Sequence, residues 1–355
     1  MYPGRRSRRG PPPILNFSYR RLSEGFHGFA LRIPTGIQMS SLCRALLRMS
    51  AVMRFTAVRF LIVAAAAAMS IIVIMQVMGT MSNHSSQPPS STRKAFDNFR
   101  QCMLTQLEKV DKNPENIFKG FSKLTSYCTS TTDVNKVKMV PLENKDEVKY
   151  YVMSPKTTDP SVVVSLGIGA DVQAEKHLKN ILPKGSEFFG ADPVIQPNAD
   201  LFGKVGTFFP FAVSEHIGVT NAHIRLNNNS YKTVPVVHID AETFFTKMIN
   251  RTHIDHLIID NEGPEYEMIP MLAIDDILAD AGMAICHMNV EFHMPGPSTR
   301  YKQFVDVMTG VLETGRFAPI YNVNYGHQRM FLVNYEDPYC SRKYLDQFFD
   351  VSPKL

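Results

Sequence analysis

The stretch 254-IDHLIIDNEGPEYEMI-269 changes character in its middle. An apolar run with the length of a buried strand ends at Ile259. Asp260 and Glu262 follow, and then Gly263, Pro264 and Glu265 open a helix. Proline is tolerated at the first helical position, and a carboxylate in the first turn complements the helix dipole and caps free amides. That structural reading suits Glu265 best. Asp260 and Glu262 fall instead at the mouth of the strand, where side chains of an α/β sheet meet ligands.

Working outward, the same alternation recurs. β-rich runs stand at 161-SVVVSLG-167, 186-SEFFGAD-192, 206-GTFFPFAVS-214 and 284-AICHMNVEFH-293, with helical stretches between them. Strands alternating with helices predict an α/β fold with a mostly parallel sheet covered on both faces. The last runs, 316-RFAPIYNV-323 and 328-QRMFLVNY-335, are separated only by 324-NYGH-327, too short for a helical crossover, so they predict an antiparallel hairpin. No internal repeat is visible.

In such a sheet the informative residues sit just after each strand, near the switch point where the strand order reverses. Gly167-Ile168-Gly169-Ala170-Asp171 follows the first run, and small residues there let backbone approach a ligand. Asp192 follows the second run, 21 positions after Asp171, the spacing at which an acid reaches ribose hydroxyls. Together they point to a nucleoside site. Glu291 and His293 alternate at the end of the fifth run and so share one face, which would bring Asp260, Glu262, Glu291 and His293 to one crevice. A metal is chemically conceivable for such a mixed set, but nothing in the spacing fixes a coordination geometry, and none is expected. His238, His253, His256 and His287 read as ordinary strand or loop residues.

These residues, with "VVVSLGIGADVQAEK", "FFGADP", "FPFAVSE", "IDHLIIDNEGPEYEMI", "VEFH" and "FLVN" in that order over roughly 148–335, resemble the FkbM-type methyltransferases, in particular divergent nematode-like members. The block Asp260 to Glu265 looks like that family's D-x-E-G-x-E signature. Two positions depart from the pattern: Ser165 stands where an acid is usual, and Asp171 where a glycine is usual. The resemblance implies a class I, Rossmann-like, seven-stranded sheet with a C-terminal antiparallel hairpin. It also implies S-adenosylmethionine as cofactor and methyl transfer to a hydroxyl of a glycan, lipid or small molecule. On that reading Ser165, Gly167, Gly169, Asp171, Asp192 and Asp260 contact the cofactor. Asp260, Glu262, Glu291 and His293 form the catalytic group, with His293 as base. Two other classes stay open: a noncatalytic lumenal binding module that keeps the fold, motivated by Ser165 and Asp171, and an NAD-dependent oxidoreductase. Against the last, Val172 occupies the place of the third glycine in G-x-G-x-x-G.

Charge and hydropathy supply the organisation. Of 38 basic and 33 acidic residues, residues 1–59 hold eleven arginines and the single acid Glu24, which leaves 27 basic against 32 acidic residues in the mildly acidic remainder. Residues 60-FLIVAAAAAMSIIVIMQVMGTMSN-83 carry no charge, enough helix to cross about 30 Å of hydrocarbon. Flanking arginines predict a cytosolic N-terminus. The expected organisation is a basic cytosolic tail (1–59), a type II signal anchor (60–79), a Ser/Pro-rich stem (80–93), a helical lumenal segment (94–147), the methyltransferase-like domain (148–340) and a tail (341–355). This would be a monomeric single-pass membrane protein of the endoplasmic reticulum or Golgi. The basic tail lacks aromatic interleaving and no nucleic-acid partner is expected. Sequons stand at Asn16, Asn83, Asn228 and Asn250, the last two available for glycans in the lumen. Cys102 and Cys128 flank a helical stretch they could staple, whereas Cys286, inside an apolar strand, is expected as a buried free thiol.

Overall fold

The first β-rich run becomes the strand around which the sheet is laid. A computed structural model describes residues 90–349 apart from 146, 157, 226–229 and 297. The basic tail, the expected anchor and residues 80–89 of the stem therefore lie outside the described residues, as do Asn16, Asn83 and Asn228. No helix among the described residues is long and apolar enough to cross a membrane.

The strands are β1 (Val140–Glu143), β2 (Val148–Tyr151), β3 (Val162–Leu166), β4 (Glu187–Ala191), β5 (Thr207–Phe209), β6 (Ala212–Ser214), β7 (Gly218–Arg225), β8 (Tyr231–Asp240), β9 (His253–Ile259), β10 (Ala284–Phe292), β11 (Phe317–Asn324) and β12 (Gln328–Asn334). The principal helices are α1 (Ser91–Lys109), α2 (Pro114–Thr131), α3 (Gln173–Ile181), α4 (Ile195–Phe202), α5 (Glu265–Ile269) and α6 (Ser298–Thr314). Seven strands form one sheet in the order β11-β12-β10-β9-β3-β4-β5. Pairings from β10 through β5 are parallel, and β12 runs antiparallel to both its neighbours. The chain order reverses between β3 and β9, so their carboxyl ends open the switch-point crevice. β3 and β9 are almost entirely buried, as expected of central strands covered by helices on both faces.

Three features differ from the sequence reading. First, residues 94–147 do not stand apart from the domain. They are helical to Thr131 and then enter the hairpin β1–β2. α1 and α2 press aromatic rings onto the sheet and α6: Phe96 stacks on Tyr335 at 4.9 Å, and Phe118 and Phe121 meet Phe304 edge-on. The amphipathic face Phe96, Phe99, Met103 and Leu107 is buried as the periodicity required, and a Cys102–Cys128 disulfide joins the two helices.

Second, Cys286 is not a free thiol; it is bonded to Cys340. The 54-residue separation hid the pairing, which exists because helical turns after β12 fold back against β10. The same return makes residues 341–349 part of the domain. Lys343 and Tyr344 donate to buried Asp255 at 2.8 and 2.6 Å, and the other Asp255 oxygen accepts from the Val162 amide at 2.7 Å.

Third, "GTFFPFAVS" is two strands. Phe211 and Pro210 turn the chain out of the main sheet after β5, and β6 begins a second, three-stranded sheet in the order β6-β8-β7. β7 and β8 form a long antiparallel arm inserted before β9, with His238 of β8 opposite Gly218 and Ala212.

Candidate active site

Backbone continuity beyond the strand ends builds the floor of the site. The Gly167 amide donates to the Ala191 carbonyl at 2.9 Å, and the Asp260 amide to the Leu166 carbonyl at 2.9 Å, which extends the ladder by one residue on each side of β3. Gly167 has φ +78°, and a Cβ there would lie 1.9 Å from the Asp260 carbonyl oxygen. Gly169, at φ +59°, would meet nothing within 4 Å. The first glycine therefore permits close approach of two strands, and the second leaves open space above the turn. Ala170 also has positive φ, and its amide donates to Asn198 at 2.9 Å.

Asp192 holds this loop. One carboxylate oxygen accepts from the Ile168 and Gly169 amides at 2.7 and 3.2 Å, and the other accepts from the Val194 amide at 2.7 Å. Burial pushes the carboxyl above the usual carboxylate range, and these amides oppose that push. A carboxylate has about four acceptor positions, so three amides leave room for at most one ribose hydroxyl, fewer than the pair the spacing suggested.

Over this floor lies a cavity of about 380 Å³. Its floor residues are Gly167, Gly169, Asp192 and Asp260, and its far wall is the inserted sheet, from Ser214 and His216 through Thr220–Ile224 to His238. Ser165 and Asp171 lie outside it. Ser165 is fully buried and donates to Glu175 at 2.9 Å. Asp171 accepts from the Gln173 amide, capping α3, and from the Lys145 amide. Both departures from the family pattern are thus engaged in structure below and beside the cavity.

Asp260 and Glu262 reach the cavity, while His293 and Glu291 stand behind them. His293 Nε2 is 3.5 Å from Asp260 and 3.2 Å from Glu262, and its Nδ1 is 3.0 Å from Glu265. Burial works against a charge on this ring, but Glu265 first and then Asp260 and Glu262 outweigh it, and its pKa rises to about 9. At neutral pH both its nitrogens carry protons, so it donates to carboxylates and is no free base. Glu265 is fully buried; besides the ring it accepts from the His293 and Gly263 amides at 2.8 Å each. The helix-terminal role foreseen for it is therefore combined with fixing His293. Glu262 sits at φ +57°, a conformation costly for a non-glycine residue and common at functional sites, and accepts from the Tyr231 hydroxyl at 3.0 Å. Burial and the neighbouring Glu291 push Asp260 up to about 7.

Glu291 belongs to a neighbouring cluster, where Arg329 Nε approaches it at 3.2 Å and Glu147 pairs with Lys149. Oxygen and nitrogen atoms of Glu147, Asp260 and Glu291, and of Glu291, His293 and His327, are close enough to hold a cation. Lys149 and Arg329 already supply positive charge among them. Sequence reasoning missed the histidines of the far wall. The available signal was the Pro210 break, followed by two alternating runs around 226-LNNNS-230, which is a hairpin pattern.

Strand order, the terminal antiparallel hairpin and a cavity at the reversal point define a doubly wound α/β protein with a cavity at the strand mouths, where such folds hold their ligands. The model of the Methyltransferase FkbM domain matches residues 112–317, more than half of the chain, and the chain belongs to this family. The match takes in α2 and the five parallel strands of the main sheet, and ends at the first residue of β11. No curated protein matches the chain.

Proposed function

We propose that this chain is an S-adenosylmethionine-dependent methyltransferase acting on a hydroxyl of a glycan, lipid or small molecule. The observation that carries this reading is the cavity at the switch point, floored by two positive-φ glycines and flanked by Asp192 and Asp260. The residues fit the cofactor in size, with a cavity in the range of small-molecule sites, and in charge. Five carboxylates line the cavity (Asp192, Glu215, Asp260, Glu262 and Glu267) against the single guanidinium of Arg300, which suits a ligand bearing a sulfonium and an ammonium. Gly167 and Gly169 would underlie its methionine and ribose portion, Asp192 would take one ribose hydroxyl, and Asp260 would face the amine or the acceptor.

When bound, the cofactor would supply a methyl group on positively charged sulfur. The chain's own part is alignment, which accounts for much of the acceleration in reactions of this kind. Protonated His293 holds Asp260 and Glu262 at fixed separations, and Glu265 holds His293. The four residues singled out as catalytic thus divide: Asp260 and Glu262 face the ligand, His293 positions them, and Glu291 belongs to the neighbouring cluster with Arg329. Ser165 and Asp171 line no part of the cavity, which weakens the argument for a noncatalytic module built on them. The uncharged run at 60–79 supports anchoring by one membrane span with the domain in the lumen, and a monomer is the simplest assembly for such a protein.

The test is incubation of the full chain with methyl-labelled S-adenosylmethionine and separated glycan, lipid and small-molecule fractions. Label in an ether linkage, with one S-adenosylhomocysteine per methyl, supports the proposal. Failure of every fraction to yield S-adenosylhomocysteine from a chain that binds the cofactor would favour the noncatalytic module.

A further inference from the structure

The inserted sheet contributes a buried imidazole that the reading of the site has not used. His238, near the C-terminal end of β8, lines the cavity and is 4% exposed. Its cross-strand neighbours are Gly218 and Ala212, two of the smallest residues, so no bulky side chain stands beside it on β6 or β7. His216 stacks on it with ring centroids 4.8 Å apart and fixes the plane of the ring.

The hydrogen bonds around Ser214 bear on which ring nitrogen carries the proton. His238 Nδ1 is 3.0 Å from Ser214 Oγ. A serine hydroxyl has one proton; Ser214 Oγ has the His216 carbonyl at 3.3 Å as acceptor, lies 3.5 Å from His216 Nδ1, and accepts from the His216 amide at 3.4 Å. With the Ser214 proton on the His216 carbonyl, Ser214 accepts from His238, which puts the ring proton on Nδ1 and leaves Nε2 as a lone pair, the tautomer that a base at this position requires. That Nε2 is buried and has no hydrogen-bond partner among the described residues. A buried acceptor without a partner costs about 1–3 kcal/mol, and such a group in a cavity wall is one a ligand donor would satisfy.

We infer that the inserted sheet is the acceptor-binding wall and that His238 Nε2 is the base that takes the proton of the acceptor hydroxyl. This rests on the methyltransferase reading and adds a residue to it. In the step, the hydroxyl oxygen forms a bond to the methyl carbon and the carbon–sulfur bond breaks with its electron pair staying on sulfur. The hydroxyl proton passes to Nε2, and the resulting imidazolium returns it to water when product leaves. Burial, then the neighbouring His216, lower the pKa of His238, with Glu215 acting in the opposite direction, so the ring is neutral and ready to accept. Ser214 is the positioning residue that sets its tautomer.

The experiment has two readouts on the full chain. Nitrogen-15 NMR of histidine-labelled protein reads the tautomer of His238 directly, assigned by loss of the signal in His238→Asn. A neutral ring protonated on Nδ1 supports the inference; protonation on Nε2 overturns it, because a donor there cannot serve as base. The second readout follows methyl transfer from S-adenosylmethionine to water and to glycerol as surrogate hydroxyls. His238→Asn, which keeps a donor toward Ser214, should lower this turnover about 100-fold or more while cofactor affinity by calorimetry stays within about two-fold. Turnover within two-fold of the parent overturns the inference. If the parent turns over neither surrogate, the tautomer decides. A parent chain that does not bind S-adenosylmethionine refutes the proposed function, an outcome the tautomer measurement distinguishes from failure of the His238 assignment.

Discussion

Replacing His293 by asparagine removes the cation shared by Asp260, Glu262 and Glu265. The rise of its pKa from 6.5 to about 9 in a ring only 15% exposed corresponds to about 3 kcal/mol of folding stability. A similar figure, about 3–5 kcal/mol, is expected when one partner of a buried ion pair is deleted, and Glu265 is the fully buried partner. The pH dependence has a definite sign. A histidine whose folded pKa is raised contributes in full below about 6.5 and loses that contribution as pH rises through about 9. Glu265 carries most of the effect, and Asp260 joins only above about pH 7, where it ionises. Urea unfolding of parent and His293→Asn chains at pH 6, 8 and 10 measures the gap. It should be about 3–4 kcal/mol at pH 6, fall to about 2 kcal/mol at pH 8 and shrink to about 1 kcal/mol at pH 10, where only neutral hydrogen bonds differ. A gap that is constant, or that widens with pH, would refute a charged His293 and the positioning role built on it.

Asp260→Asn should stabilise the fold above pH 7 by about 1–2 kcal/mol, after allowance for screening of a side chain about one third exposed, and leave it unchanged near pH 4. The raised carboxyl makes ionisation costly only once pH exceeds its unfolded value, so melting at the two pH values checks the sign, and methyl transfer should fall in the same variant. Gly167→Ala, with its Cβ 1.9 Å from a carbonyl oxygen, should lose more than about 3 kcal/mol or fail to fold. Gly169→Ala, with open space around it, should lose about 1 kcal/mol from positive φ alone, and chemical denaturation of the pair separates the two roles. Lys343→Met leaves Asp255 buried beside two tyrosine hydroxyls without its cation and should cost about 3–5 kcal/mol by the same measurement.

The seven runs of the main sheet were legible because central parallel strands are apolar on both faces and their turns are marked by Gly, Pro and Asp. Four residues, "NYGH", sufficed to make β11 and β12 antiparallel. The small second sheet was not seen, since its arm alternates polar and apolar residues on a surface and "FFPFAVS" reads as one run. Cys286 and Cys340 could not be paired from spacing, because their contact comes from the return of the chain after β12. At the site, Gly167, Gly169, Asp192 and Asp260 were readable from their places after strands. His293 was read as a base from its residue type and its place at the end of a strand. Its neighbours make it an acid, and those neighbours converge only after β9, α5 and β10 pack. Asp171 was chosen for position in the glycine loop, yet the first amide of α3 and the Lys145 amide claim it.

The central claim is that the switch-point cavity binds S-adenosylmethionine, and calorimetric titration of the full chain tests it most directly, with Asp192→Ala as control and NADH as competitor. The account predicts binding of micromolar strength, about −8 kcal/mol, weakened at least tenfold by the substitution and unaffected by NADH. A folded chain that gives no heat with S-adenosylmethionine, or that binds NADH in its place, would contradict it.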